Sequence, residues 1–502
     1  MGGSVMLLLA GMLADPTQCE ALAKLALPNT TITSAQWMAA GPFTPPSAQG
    51  EGAPAAAGAT RNAAPPLTLP AHCHVAIVLK PSADSNIEAE VWLPADWNGK
   101  FQAVGNGGWA GTISYPQMAR ALQEGYATAS TDTGHKGGNA AFAIGHPEKL
   151  IDFGYRAIHE MTVQSKALIN ALYQKPARLS YWNGCSTGGR QGLMAAQRYP
   201  DDFDAILAGA PANNHTRMGI SRLAVSVPTV TDPASAVPAA KLAMVTRAVL
   251  DACDGRDGVK DGFLNEPRAC TFDVAKLQCK GGDAESCLTA AQVATMKRAY
   301  APMKLANGQL VFAGKEPGSE TAWAMVSGTA DALSVTALQI AHNDASWDAK
   351  TFDLERDLPL AIEKVGFAVN AIDPDLRAFK ARGGKLLLYH GWNDPLISAG
   401  NTLNYYDSVV DKMGRGQDDW LRVFMVPGMG HCQGGAGPDQ VNWMAPLERW
   451  RESGKAPERI NAARVVANRV EMTRPLCPYP QIAQYTGIGS TNDADNFVCK
   501  AK

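Results

Sequence analysis

The sequence predicts an α/β fold: a doubly wound, mostly parallel sheet carrying a large inserted lid domain. Three observations carry that expectation. Apolar, strand-like runs alternate with helix-compatible segments in residues 101–212 and again in 385–452. The alternation breaks between these blocks for roughly 170 residues, too many for a loop and enough for a domain. One strand-like run, Leu179-Ser180-Tyr181-Trp182-Asn183, ends in Gly184-Cys185-Ser186-Thr187-Gly188 and passes directly into a helix-compatible segment. A serine between glycines at a sharp strand-to-helix turn stands clear of the sheet, above the positive end of the helix.

The chain has 502 residues, of which 46% are hydrophobic and 18% charged, with a net charge of −2. Such a balance gives no basic footprint for nucleic acid, and no apolar run of about 18 residues is present to span a membrane. Residues 1–14 read as a signal remnant, because Val5 to Ala14 resembles the apolar part of a secretory signal but lacks a charged segment before it. Residues 15–70 are rich in Ala, Pro, Gly and Thr and read as an irregular arm. Residues 74–80 and 86–94 alternate with period two and predict an antiparallel pair. Residues 101–104 form a short strand that runs into Gly105-Asn106-Gly107-Gly108-Trp109-Ala110-Gly111. Residues 126–132 and 203–211 are buried strands, and 161–174 is a helix. The catalytic domain is thus expected in 15–212 and 384–502, with the lid in 213–383. Later core strands fall at 385–391 and 421–427, a last core helix at 440–452, and an irregular tail follows.

A nucleophilic serine needs a base, and the base needs an orienting carboxylate. In an α/β-hydrolase fold these follow in the order Ser, Asp or Glu, His, each at the carboxyl end of a strand. Asp394 follows the strand at 385–391 and His431 follows the strand at 421–427. Ser186, Asp394 and His431 are therefore the candidate triad. The glycine-rich run after residue 104 is where a serine hydrolase places one oxyanion-hole amide, and the residue after the nucleophile supplies the other. These are Gly108 and Thr187. The run lacks the Gly-Lys-Ser/Thr of a phosphate loop.

Ten cysteines, with no Cys-x-x-Cys, favour an oxidising compartment, so a secreted or periplasmic protein is expected. Cys253/Cys270, Cys279/Cys287 and Cys477/Cys499 are close in sequence and Cys19/Cys73 flank the arm, although sequence alone leaves the connectivity open. Cys185 adjoins the candidate nucleophile and Cys432 the candidate base. If Ser186 and His431 meet, these cysteines are close enough to bond and to clamp the elbow to the histidine loop. Closing so long a loop contributes about 4–5 kcal/mol in the chain-entropy account.

The pattern Gly-Cys-Ser-x-Gly-Gly, then Asp394, then Gly-His-Cys resembles the tannase and feruloyl esterase family. The similarity runs from Leu69-Pro70-Ala71-His72-Cys73 through Trp97-Asn98-Gly99-Lys100-Phe101 to Pro475-Leu476-Cys477-Pro478-Tyr479-Pro480. The stretches Val104 to Gly108 and Ser130 to His135 are similar to the feruloyl esterase branch. The resemblance implies a serine esterase acting on esters of aromatic, feruloyl-type acids through an acyl-enzyme. Galloyl esters (a tannase) and mono(2-hydroxyethyl) terephthalate are the alternatives within the family, and an inactive hydrolase used for binding is the alternative outside it. The substrate is then a small aromatic ester or a feruloylated saccharide. Trp109 and Ile397, with lid aromatics such as Trp323 and Trp347, are candidates for the acid pocket.

Cys253-Asp254-Gly255-Arg256-Asp257-Gly258-Val259-Lys260-Asp261-Gly262-Phe263 places three aspartates among turn-forming glycines, the oxygen-rich setting that hard calcium ions take. The resemblance implies a structural calcium in the lid. Its ligands would be the side chains of Asp254, Asp257 and Asp261 and the carbonyls of Val259 and Phe263. No organic cofactor is expected.

Overall fold

The computed structural model describes residues 15–45 and 67–501. The signal-like stretch and part of the Ala/Pro-rich arm lie outside the described residues. Nine strands form one sheet: β1 (Thr30–Met38), β2 (His72–Leu79), β3 (Ile87–Pro94), β4 (Lys100–Val104), β5 (Ala127–Thr131), β6 (Leu179–Cys185), β7 (Ala205–Gly209), β8 (Lys385–Gly391) and β9 (Leu421–Val426). Their spatial order is β1-β2-β3-β5-β4-β6-β7-β8-β9. Pairings from β1 to β5 along that order are antiparallel. From β5 to β9 they are parallel. This is the α/β-hydrolase fold expected from the sequence, with an extra antiparallel strand at one edge.

The parallel strands are short apolar runs because helices cover both of their faces. Every residue of β4, β5 and β7 is buried. The crossovers carry α1 (Tyr115–Gln123), α2 (Ala157–Tyr173) and α3 (Thr187–Arg198). The strand order reverses beside β4, because β5 lies on one side of it and β6 on the other. Val104 at the end of β4 pairs with Asn183 near the end of β6. The loops leaving these two strands therefore emerge together, at the switch point where open α/β sheets bind ligands.

Between β7 and β8 the chain builds the helices α4 (His215–Thr231), α5 (Ala239–Cys253), α6 (Ala290–Tyr300), α7 (Ala332–His342) and α8 (Leu354–Ala361). Asp331 caps α7 by accepting from the Ser334 N–H at 3.0 Å, and it also pairs with Arg222 of α4. One carboxylate thus caps one of these helices and ties it to another. Two helices, α9 (Ala399–Met413) and α10 (Met444–Ser453), complete the hydrolase core.

Two expectations need correction. The arm is not irregular throughout: β1 adds an edge strand along the whole of β2, and Cys19 bonds Cys73 on that strand. Ala/Pro-rich flanks hide the nine-residue strand from a compositional reading. The tail also has regular structure, in two antiparallel pairs: Ile460–Val466 with Arg469–Leu476, and Ile482–Tyr485 with Phe497–Lys500. Short two-stranded ribbons carry too few alternating residues to be read as strands. No helix among the described residues is long and apolar enough to cross a membrane.

Candidate active site

Ser186 makes the turn between β6 and α3 by itself, with φ 63° and ψ −122°. Such a conformation costs an ordinary residue of order 1–3 kcal/mol and persists only where the surroundings enforce it. Three backbone hydrogen bonds do so. The Ser186 N–H donates to the Gly209 carbonyl at 2.9 Å, and the Ser186 carbonyl accepts from the Arg190 and Ala212 N–H groups at 3.0 and 3.1 Å. The flanking glycines follow from close approach. A Cβ on Gly184 would stand 2.5 Å from the Gly188 carbonyl carbon, and one on Gly105 would stand 2.5 Å from the Gly188 Cα. Either side chain would lift α3 off the sheet.

The glycine-rich loop after β4 is held against α3 at the same corner. The Gly188 N–H donates to the Asn106 carbonyl at 2.9 Å, and the Asn106 and Gln191 side-chain amides bond each other at 3.0 Å. Thr187 Oγ1 donates to the Gly108 carbonyl at 2.7 Å, so these two residues are neighbours. Thr187 is the first residue of α3, where helix geometry leaves the N–H without an intrahelical acceptor. Gly108 has φ +56°, a conformation that suits glycine.

Asp394 is fully buried in the turn after β8. Its Oδ1 accepts from the Leu396 and Ile397 N–H groups at 2.7 and 2.9 Å. Its Oδ2 accepts from His431 Nδ1–H at 2.6 Å and from His390 Nε2–H at 3.0 Å. Burial acts to raise this carboxyl, but the charges and hydrogen bonds of the two histidines outweigh it and hold the group well below the ordinary carboxylate range. Asp394 is therefore an anion at neutral pH, and His431 presents Nε2 as its free ring nitrogen. Cys185 bonds Cys432 with their Cα atoms 6.0 Å apart, which draws the loops of Ser186 and His431 together.

Ser186, Thr187, Gly108 and His431 line one pocket of about 470 Å³, its open mouth included. Trp109 and Ile397 line it too. Residues of α4 and α7 close the other side, including His215, Met218, Leu333 and Ala337. Trp109 Nε1–H donates to the Leu333 carbonyl at 3.0 Å, so the loop after β4 and the lid are joined at the pocket wall. Trp323 and Trp347, expected at the pocket, are buried in the core of the segment between β7 and β8 instead. Trp323 donates to Ser319 Oγ at 2.9 Å, and Trp347 stacks on His342.

A strained serine, the residues Gly108 and Thr187, and a histidine paired to a buried aspartate thus meet at one pocket. Comparison with known proteins settles the family. The profile described as tannase and feruloyl esterase matches residues 73–500. The chain belongs to the tannase and feruloyl esterase family. It is 37% identical to an uncharacterized esterase of Xanthomonas campestris pv. campestris, over 96% of this chain and 91% of that one. It is 33% identical to feruloyl esterase B of Aspergillus niger, over 85% of this chain and 86% of that one. The crystal structure of feruloyl esterase B from Aspergillus oryzae superposes with a TM-score of 0.89 at 31% identity, covering 97% of this chain and all of that one. The protein is thus a carboxylic ester hydrolase of this family.

The esterase also contains disulfides Cys19–Cys73, Cys253–Cys270, Cys279–Cys287 and Cys477–Cys499. Cys253–Cys270 closes the aspartate loop of the lid. Within it, Asp254 accepts from the Asp261 and Gly262 N–H groups at 3.3 and 3.0 Å, and Asp257 from the Val259 N–H at 3.0 Å. Asp261 Oδ2 pairs with Arg474 at 2.5 Å, while its Oδ1 is buried without a hydrogen-bond partner. Burial pushes the Asp261 carboxyl up to about 7; Arg474 opposes this, and the charges of Asp257 and Asp254 add to it. Oxygen-only donors and an orphaned carboxylate oxygen fit a hard cation. Among the described residues no three acidic, histidine or cysteine side chains already converge on a metal position. The carbonyls of Val259 and Phe263 would then share the coordination.

Several groups escaped the sequence reading. His390 closes a chain behind the Asp394–His431 pair: Nε2–H donates to Asp394 and also reaches the Ile397 carbonyl at 3.1 Å, so Nδ1 accepts from the Thr402 hydroxyl at 2.7 Å. Its signal was present, because it sits on β8 four residues before Asp394 and points to the same end of the sheet. His215 and Arg222 come from α4 and had no signal. Burial, then the charge of Arg190, pushes His215 down to about 3, so it meets the pocket as a neutral ring.

Proposed function

We propose that the protein hydrolyses esters of aromatic, feruloyl-type acids, with Ser186 as nucleophile, His431 as general base and acid, and Asp394 as its orienting partner. His431 Nε2 takes the Ser186 proton as Oγ attacks the ester carbonyl. The Gly108 and Thr187 amides hold the oxyanion, where fixed dipoles stabilise developing charge without reorganising. His431 then protonates the leaving alcohol, and water repeats the sequence on the acyl-enzyme to release the acid. The observation that carries this reading is the 2.6 Å Asp394–His431 hydrogen bond in a pocket shared with Ser186. An aromatic acyl group suits the walls given by Trp109, Leu333, Ala337 and Ile397, and the named feruloyl esterases among the relatives support that substrate class.

The test is a kinetic panel of methyl ferulate, methyl gallate, chlorogenate and mono(2-hydroxyethyl) terephthalate, run on the wild-type protein and on Ser186→Ala. Highest kcat/KM on the hydroxycinnamoyl esters and no turnover by Ser186→Ala are expected. A preference for gallate or terephthalate esters would move the chain to another branch of the family, and turnover by Ser186→Ala would remove the mechanism.

The division into a hydrolase core and a lid at 213–383, with the lid supplying one wall of the acid pocket, belongs to the same reading. So does a structural calcium held by Asp254, Asp257, Asp261 and the Val259 and Phe263 carbonyls. The ion would supply positive charge to a crowded acidic loop, and no catalytic step depends on it. Five disulfides support secretion or residence in the periplasm.

A further inference from the structure

A second cavity, of about 700 Å³ with its open mouth included, lies in the lid beside the active-site pocket. Arg222 and Leu396 line both spaces. The charged residues lining the second one are Arg222, Arg298, Lys304 and Lys315, all cations, with no carboxylate among its lining residues. Arg298 and Lys304 are exposed at its rim and have no ion-pair partner among the described residues. Lys315 is different, being buried to 6% exposure with only a long hydrogen bond, 3.4 Å, from Nζ to the Asp394 carbonyl. Arg222 is 5% exposed, and its Nε is buried without a partner although its other nitrogens bond Asp331 and the Leu396 carbonyl.

Buried cations without full partners are costly, and an anion in the same space relieves that cost. Burial pushes the Lys315 ammonium down to about 8; the charges of Asp394, Glu316 and Asp331 oppose this, and that of Arg222 adds to it. The rest of the wall is apolar, with Val225, Met303 and Phe312 among its side chains. An inorganic ion would leave that surface bare. A flat apolar body with one carboxylate satisfies both parts of the wall.

We propose that this chamber is a second binding site, specific for an aromatic carboxylate whose acid group meets Lys315 and Arg222 and whose ring lies against the apolar wall. The acid released by the proposed hydrolysis has this chemistry, and that identification of the ligand rests on the functional reading above. The carboxylate of an acyl-quinate's alcohol half shares the charge, but its ring is a hydroxylated cyclohexane and not a flat aromatic one.

Ferulate and quinate binding are measured by calorimetry on the full-length protein after covalent capping of Ser186 with a fluorophosphonate. The cap sits on Ser186, which lines the active-site pocket and not the chamber. One equivalent of ferulate is expected to bind the capped protein, more tightly than quinate and than neutral methyl ferulate. Arg298→Glu/Lys304→Glu changes two exposed rim residues, and it should weaken ferulate binding about tenfold while capping at Ser186 proceeds as in the wild type. No ferulate bound to the capped protein, equal binding of methyl ferulate, tighter binding of quinate, or no response to the double charge reversal would each overturn the proposal. Failure of the cap to attach to Ser186 would instead remove the functional reading, and ferulate binding to the uncapped protein, weakened by the charge reversal, would still support the chamber.

Discussion

Asp394 and Asp261 are both buried aspartates in loops, and they are treated in opposite ways. The chain gives Asp394 four hydrogen-bond donors, two amides and two imidazoles. It gives Asp261 one arginine and leaves Oδ1 unpartnered. The first carboxyl is held well below its ordinary range and the second is pushed up to about 7. A group whose donors all come from the chain is positioned by folding alone, which suits a residue that must orient a catalytic histidine. A group left short of partners has capacity for an added cation, which suits the calcium proposed for this loop.

The largest way to break the comparison is Asp394→Asn. The amide keeps the shape but favours the wrong histidine tautomer, so kcat should fall about 10⁴-fold, measured on methyl ferulate. Folding lowers the Asp394 pKa, so the ionised group stabilises the fold above about pH 4 and this contribution is lost as pH falls further. The variant should lack that acid-side loss in melting experiments. Next in size, Cys185→Ala/Cys432→Ala should cost up to about 4–5 kcal/mol in unfolding and also lower kcat, because it frees the histidine loop from the elbow. Unchanged melting and rate would show the clamp to be idle.

Calcium removal sharpens the other side. Chelation should lower the melting temperature by the equivalent of about 2–3 kcal/mol at saturating starting calcium, with little change in initial rate at low temperature. Asp261→Asn should abolish that chelator response. The smallest effect is expected for His390→Asn, which removes one of two imidazoles from Asp394 Oδ2 and strands the Thr402 hydroxyl. About a tenfold loss of kcat is expected, with KM nearly unchanged. A loss as large as that of Asp394→Asn would mean that His390 does more than position the carboxylate.

How much of this was legible in the sequence follows from how local each signal is. The turn at Ser186 is written in five consecutive residues, and parallel strands announce themselves as short apolar runs, so the fold and the order Ser186, Asp394, His431 could be read directly. The strand at Thr30–Met38 could not, because its partner at His72–Leu79 lies beyond a long Ala/Pro-rich stretch and its own pattern is half exposed. Trp323 and Trp347 misled for a related reason: a large aromatic residue in the lid is pocket or core depending on which helix packs over it. His215 and Arg222 reach the pocket on α4, which packs on α7 and is tied to it by the Arg222–Asp331 pair, a contact between residues far apart in the chain. The second chamber is further still from the sequence, since its four cations come from three separate stretches of the lid.

The central claim is that Ser186 is the nucleophile activated by the His431–Asp394 pair. Mass spectrometry of the protein after brief exposure to a fluorophosphonate tests it most directly. A single adduct on the peptide containing Ser186 is predicted, abolished in Ser186→Ala and slowed strongly in His431→Ala. Labelling elsewhere, or labelling of Ser186 that is indifferent to His431, would contradict the account.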